Sequence, residues 1–346
     1  MVRFVATMFV FAGHMGVILG IQPPILSGFS LHELGVMMLF LIGGYLITQS
    51  WLLDPNPLRY AIRRFFRLWP PFAVFVLLAV FVAGPLISDL GVQGYFHSNF
   101  LAYLRNLRFF ISYSQPGVFT NVPAANTTNG SLWTMPVEAF VYILTPLQLT
   151  LCRVKNRSKT SFRCMTVVTG ITILFDYYLR IFWADKTVVI YGTELISAFH
   201  LIVMYIIGIY FTYDEVKKYL NLQLGCLAMC LLLFCQVLTG PTQHLVLCIV
   251  FPYFIFSFAL LRQPLFGAFG KKADLSYGIF LYGFFFQQLT VSLMLKHGIN
   301  TGYLKTFAVS LIPTAAAAYF SYYLVEKPVM NLGHLLIRKL KNRENA

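Results

Sequence analysis

The chain has 346 residues, of which 58% are hydrophobic and 11% charged, with a formal net charge of +14. A soluble protein carries roughly a quarter of its residues as Asp, Glu, Lys or Arg, so this composition excludes a soluble enzyme and leaves no room for a hidden soluble domain. It predicts an all-α fold, a polytopic membrane helix bundle formed as a single transmembrane domain over 1–346.

Stretches of about 20 apolar residues are long enough to cross a bilayer. Ten occur, near 4–22, 34–53, 70–88, 132–152, 164–183, 195–212, 221–239, 243–261, 276–295 and 306–325, although 221–261 admits other divisions. The first has no small-residue cleavage site and is followed by further spans, so it is not a signal peptide. Lys and Arg accumulate on the cytoplasmic side of membrane proteins. Placing Arg3 there puts Arg59, Arg63, Arg64 and Arg67 on the same side, with Arg153 to Arg163, Lys217, Lys218, Arg262, Lys271, Lys272 and the basic tail of 327–346. Arg105, Arg108, Lys186, Lys296 and Lys305 fall on the other side, with Arg180 near a helix end. The asymmetry predicts ten spans with both termini cytoplasmic. The net charge is then a topology signal and not the mark of a nucleic-acid partner.

Against this background the polar residues stand out. The opening stretch, MVRFVATMFVFAGHMGVILG, carries Arg3 and His14 eleven residues apart. On a helix that spacing is about three turns, or roughly 16 Å, and it puts both on one face. Ionisable groups within a membrane are functional candidates; His14 reads equally as a packed side chain bonded to a neighbouring helix, and Arg3 as a topology anchor. RYAIRRFFRLWPP (59–71) places Arg64 and Arg67 on one helical face, with Pro70 and Pro71 expected to open the next span. The all-arginine cluster is either an anchor or an anion site, since forked guanidinium groups chelate phosphate. In NGSLWTMPVEAFVYILTPL (129–147), Trp133 suits a membrane interface and Glu138 follows inside the apolar run, costly there unless paired, or else stabilised as a first-turn acid by the helix dipole. Asp176 and Arg180, at i and i+4, read as an internal ion pair.

The six cysteines (Cys152, Cys164, Cys226, Cys230, Cys235, Cys248) lie in or beside apolar segments with no C-x-x-C spacing. They read as packed or lipid-facing thiols, not as a disulfide or zinc framework. Asn126 and Asn129 match the glycosylation pattern and mark a polar loop. That loop, about 89–131, is the longest between spans, and loops of this length are functional or disordered. It is either a binding surface, through side chains such as Tyr95, Phe96, Asn99, Tyr103, Asn106 and Tyr113, or a solvated connector.

Taken in order, Arg3 with His14, GVMMLFLIGGYLIT, RRFFRLWPP, NGSLWTMPVEAFVYILTPL, LSYGIFLYGFFFQQ and SYYLVEKPV resemble the motifs of the membrane acyltransferase-3 family. Its members are integral-membrane O-acyltransferases of bacterial surface polysaccharides and related acceptors, and the resemblance runs over nearly the whole chain. It implies His14 as the catalytic residue and Arg3 as its motif partner. It implies Arg64 and Arg67, with Arg63 beside them, as the cytoplasmic acyl-CoA site. Glu138 matches the acidic residue of the Trp-containing motif, and Glu326 belongs to the Glu-Lys-Pro signature, in a structural role. The sequence departs from the family's pattern in places. Gly43-Gly44 stands for the usual Ser-Gly, and Gly283 for a histidine after Leu-Tyr. The usual Asp-containing lead-in to Arg3 is missing, which points to a truncated start, and no esterase-like soluble domain follows.

The implied activity is O-acetyl transfer in the bacterial inner membrane, from cytoplasmic acetyl-CoA to a sugar hydroxyl of a polysaccharide or lipid-linked glycan such as O-antigen. Acetyl-CoA is a co-substrate; no permanently bound cofactor and no metal are expected, and membrane lipids are the surrounding partners. His14 would act as general base, or would itself carry the acyl group. Glu138 would support the imidazole, and Asn129, Ser131 and Trp133 would meet the acceptor. The competing readings are a transporter using the same buried polar groups, or an acyltransferase acting on a lipid or small molecule.

Overall fold

The computed structural model describes residues 1–26, 28–234, 239–261 and 273–344, and over these the chain is mostly helical. Cys235, Arg262, Lys271 and Lys272 lie outside the described residues. In chain order the helices are α1 (Val2–Ile18), α2 (Leu31–Leu53), α3 (Pro57–Leu78), α4 (Gly84–Ile87), α5 (Gly91–His97), α6 (Met135–Leu151) and α7 (Lys159–Phe182). They continue with α8 (Leu195–Tyr210), α9 (Asp214–Lys217), α10 (Leu222–Phe234), α11 (Gly240–Ala259), α12 (Ser276–Lys296), α13 (Tyr303–Ser321) and α14 (Lys327–Glu344). The only strands among the described residues are two short antiparallel hairpins, Ile25–Leu26 with Phe29–Ser30 and Val189–Ile190 with Thr193–Glu194.

Each of the ten expected apolar segments falls on a helix, and the chain is a multi-pass membrane protein. Six stretches are long and apolar enough to cross a bilayer: Leu31–Leu53, Pro57–Ile87, Lys159–Phe182, Gly240–Ala259, Ser276–Lys296 and Tyr303–Glu344. The helices on the other four segments, α1, α6, α8 and α10, are 17, 17, 16 and 13 residues long.

One boundary differs from the sequence reading. Pro70 and Pro71 do not open a helix but sit inside α3, which starts at Pro57 behind an Asn56 cap whose side chain accepts from Arg59 N–H at 3.0 Å. A proline at the first helical position needs no N–H, so the true start is thirteen residues upstream and the arginine cluster rides on the same helix as the span. Two other prolines are absorbed by π-helical turns, Ala79–Ala83 before Pro85 and Tyr322–Glu326 before Pro328. In each case the carbonyl that the ring would strike, four residues back, lies inside the widened turn.

The helices pack as two compact units, each discontinuous in sequence. The first comprises Met1–Ala6, Ile25–Pro55 and Val137–Phe269. Its centre is the pair α2 and α8, with α7 and α11 packed around them and α10 on α11. A Cβ built on Gly44 would lie 2.0 Å from the Tyr205 carbonyl oxygen, and one on Gly208 2.0 Å from that of Leu41. The two backbones therefore touch directly, as small residues permit between membrane helices.

The second unit comprises Thr7–Pro24, Asn56–Pro136 and Gly270–Ala346, with α12 against α13 and α14 against α3. The long segment after α4 is no solvated connector. It holds α5, a 3₁₀ helix (Phe100–Arg108) and a well-packed interior containing Tyr95, Tyr103, Asn106, Val118 and Phe119. Tyr95 donates to the Val80 carbonyl at 3.0 Å, and Trp69 donates to that of Leu107 at 3.1 Å. Asn106 bonds the backbone at Tyr103 and at both the N–H and the C=O of Ser112. Burial pushes the phenols of Tyr95 and Tyr113 up to about 12, because the phenolate would be poorly solvated there.

Candidate functional site

The second unit brings His14 to the motif that follows the long segment. His14 lies three-quarters of the way along α1 and is buried, with Nδ1 3.3 Å from the Ser131 hydroxyl and its ring edge-on to Phe284, centroids 5.1 Å apart. Ser131 sits on a 3₁₀ turn, Gly130–Thr134, capped by the Asn129 side chain, which accepts from Ser131 N–H at 3.0 Å. The Asn129 amide also donates to the Leu281 carbonyl at 2.8 Å. Both its polar ends thus hold the turn that presents Ser131.

Helix α12 organises this arrangement. Gln287 donates to the Phe11 carbonyl at 2.7 Å, and Gln288 to the carbonyls of Ala124 and Thr127 at 2.8 and 2.9 Å. One helix therefore fixes the rotation of α1 and anchors the end of the long segment. From α13, Tyr303 donates to the Ala12 carbonyl at 2.7 Å. Polar groups in a membrane interior are costly unless bonded, and these side chains use that cost to set position. The result is a narrow cleft, closed to a water-sized sphere in this structure and lined by Thr7, Phe11, His14, Ser131, Phe280 and Phe284. Gly283 also borders it: a Cβ there would meet the Phe11 ring at 2.9 Å. The place that holds a histidine in the resembling family is filled here by Phe11.

The arginines of α3 divide by their partners. Arg67 bonds Glu326 at 3.3 Å and Asp274 at 3.4 Å, and its guanidinium carbon stands 5.7 Å from the Tyr277 ring centroid. Glu326, 1% exposed, ends the π-helical turn of SYYLVEKPV. Arg59 pairs with Glu344 of α14. Arg64 lies 5.7 Å from the Tyr60 ring centroid, and Arg63 and Arg64 are both half-buried.

Arg3 is half-buried at the start of α1, on the helix that carries His14. Glu138 is half-buried in the first turn of α6, where its carboxylate accepts from the Tyr142 hydroxyl. Both belong to the first unit, as does the predicted Asp176–Arg180 pair, which is present at 3.1 Å. Trp133 is half-buried on the Gly130–Thr134 turn. Sequence reasoning missed Gln287, Tyr303 and Asp274 as builders of the site. Two adjacent glutamines in an otherwise apolar helix were the available signal for the first.

The comparisons with known proteins bear out the family resemblance. The family model described as an acyltransferase domain matches residues 1–325. The chain is 23% identical over 344 residues to the "O-acetyl transferase" of Shigella phage Sf6, covering 94% of this chain and 93% of that protein. It is 24% identical over 322 residues to "Nodulation protein 10" of Rhizobium leguminosarum bv. viciae, covering 88% and 84%. No solved structure matches.

Proposed function

Since this chain belongs to the acyltransferase family, we propose that it is an O-acetyltransferase of the bacterial inner membrane, crossing it ten times with both termini in the cytoplasm. The donor is cytoplasmic acetyl-CoA, and the acceptor is a sugar hydroxyl of a polysaccharide or lipid-linked glycan such as O-antigen. The relative named O-acetyl transferase supports the acetyl group.

His14 is the catalytic base. With Nδ1–H donated to the Ser131 hydroxyl, Nε2 carries the lone pair and takes the proton of the attacking sugar hydroxyl. The alkoxide adds to the thioester carbonyl, the C–S bond breaks, and the imidazolium returns the proton to the departing CoA thiolate. Ser131 holds the tautomer and borders the cleft where the acceptor oxygen must come. Asn129 holds Ser131, and Trp133 stacks on the sugar. Arg63 and Arg64 take the CoA phosphates, and Arg67 positions their helix through Glu326 and Asp274. Arg3, on the same helix as His14, is its motif partner.

The observation that carries this reading is a buried histidine bonded to a buried serine at the edge of a cleft, within a membrane acyltransferase. The test is transfer of labelled acetyl from acetyl-CoA to membrane glycans, read together with CoA release. His14→Ala should insert normally and lose transfer altogether. A well-expressed His14→Ala protein with parental transfer would remove His14 from the chemistry, and acceptor-dependent acetylation without CoA consumption would remove the donor.

A further inference from the structure

In the first unit a second polar cluster plays no part in this reaction. Asp176 on α7, His200 on α8 and Cys248 on α11 are 2%, 2% and 3% exposed. A carboxylate oxygen of Asp176, a ring nitrogen of His200 and the Cys248 sulfur all lie within 4.8 Å of one another, which no other such group among the described residues does. His200 Nδ1 is 2.9 Å from Asp176 Oδ2, and Arg180 Nε donates to the same oxygen at 3.1 Å. The other atoms, Asp176 Oδ1 and His200 Nε2, are buried without a hydrogen-bond partner, as is His244 Nδ1 on α11. The His244 ring centroid stands 5.4 Å from that of His200, and its Nε2 is 3.3 Å from Arg180.

Unpartnered buried polar atoms are rare in folded proteins and call for a ligand. Here they come from three helices, and two of them belong to residues whose ligand atoms lie within 4.8 Å of the Cys248 sulfur and of each other. We propose that Asp176, His200 and Cys248 bind one divalent transition-metal ion of the zinc type, with His244 as the fourth ligand. The donor set decides the class: carboxylate, imidazole and thiolate together suit zinc, whereas calcium and magnesium require oxygen. The ion takes the unpartnered atoms, Asp176 Oδ1 and His200 Nε2, while His200 Nδ1–H stays bonded to Asp176 Oδ2. Cys248 loses its thiol proton, so one proton leaves for each ion bound. Arg180 keeps its bond to the carboxylate as an outer partner that orients the ligand. Its positive charge opposes a cation, and the two negative charges of Asp176 and the Cys248 thiolate offset it. No C-x-x-C or H-x-x-x-H spacing announces the site, because the ligands come from three helices and the one pair that shares a helix, His244 and Cys248 on α11, is a mixed one.

The experiment uses the full-length protein purified in detergent through a tag without histidines, stripped by chelator, loaded with Zn²⁺ and desalted. Elemental analysis should find one zinc per chain in the parent and in His14→Ala, and loss of it in His200→Gln and Cys248→Ser. Loading with Co²⁺ should give a thiolate-to-cobalt charge-transfer band that Cys248→Ser abolishes. The conservative serine keeps the test open should the histidine variant fail to fold. Zinc no higher than the buffer background in the parent, equal zinc in parent and Cys248→Ser, or a cobalt complex without the thiolate band would each overturn the proposal.

Discussion

Two arginines three residues apart on α3 do different work. Arg67 neutralises Glu326, which is 1% exposed, whereas Arg64 meets an aromatic ring. Removing one partner of a buried ion pair leaves an uncompensated charge and costs about 3–5 kcal/mol. Arg67→Ala is therefore expected to lower thermal stability sharply, with donor affinity in the folded fraction nearly unchanged. Arg64→Ala should weaken acetyl-CoA binding in the folded fraction about ten- to hundredfold, since a charge-assisted bond contributes roughly 1.5–3 kcal/mol. Thermal unfolding and acetyl-CoA titration of both variants separate the roles. An Arg64→Ala protein with parental affinity would move the phosphate site off this residue, and a fully stable Arg67→Ala protein would show that Glu326 does not depend on it.

At the scale of elements, the contact between α2 and α8 depends on glycine at one position and not at its neighbour. The space beside Gly44 ends at the Tyr205 carbonyl, 2.0 Å from a would-be Cβ, whereas at Gly43 the nearest atom is a Tyr205 ring carbon at 3.8 Å. Backbone cannot yield as a side chain can, and overpacking of this kind costs about 1–3 kcal/mol or more. Gly44→Ala and Gly208→Ala should reduce the yield of folded protein in detergent, judged by gel filtration and thermal unfolding. Gly43→Ala should behave as the parent, and Gly43→Ser, the residue the family resemblance leads one to expect, should fit as well. Equal behaviour of Gly43→Ala and Gly44→Ala would mean that the helices separate easily. Helix α12 adds a second device, bonds from Gln287 and Gln288, to its own close approach at Gly278, where a Cβ would lie 2.8 Å from the Ala318 Cα of α13. Helix packing in this molecule is set by small residues where backbones meet and by amides where segments must be held at a distance.

For the molecule as a whole, the open issue is how an acceptor is chosen. The segment near 89–131 is the longest stretch between expected spans, yet its centre is built of buried Tyr95, Tyr103 and Asn106, and its end of buried Asn129. Exchanging all of it with that of a relative would remove core side chains. The residues of the segment that remain free to meet an acceptor are its exposed ones, among them Phe96, Asn99 and Asn126. Grafting only these from a relative that acts on another glycan should change which sugar is acetylated, with acetyl-CoA affinity unchanged. Mass spectrometry of the acetylated glycans reads the outcome. An active graft with the parental product would place acceptor choice elsewhere.

What the sequence determined by itself is local. Hydropathy located the six helices among the described residues that are long and apolar enough to cross a bilayer, because burying a backbone in lipid requires helices of apolar residues and both properties are written residue by residue. The i, i+4 spacing of Asp176 and Arg180 was enough for their ion pair, since a helix turn brings such residues together unaided. The eleven-residue spacing of Arg3 and His14 likewise needed only α1. Other features waited for the tertiary structure. The start of α3 was obscured by two prolines that the helix tolerates inside it. The packing of the 89–131 segment arose from contacts that its polar composition concealed. Ser131 reaches His14 across 117 residues, Glu326 reaches Arg67 across 259, and Cys248 reaches Asp176 from another helix. Such meetings depend on how helices are rotated and paired. That choice is made by glycines, amides and aromatic rings acting between elements, and no periodicity within one element encodes it.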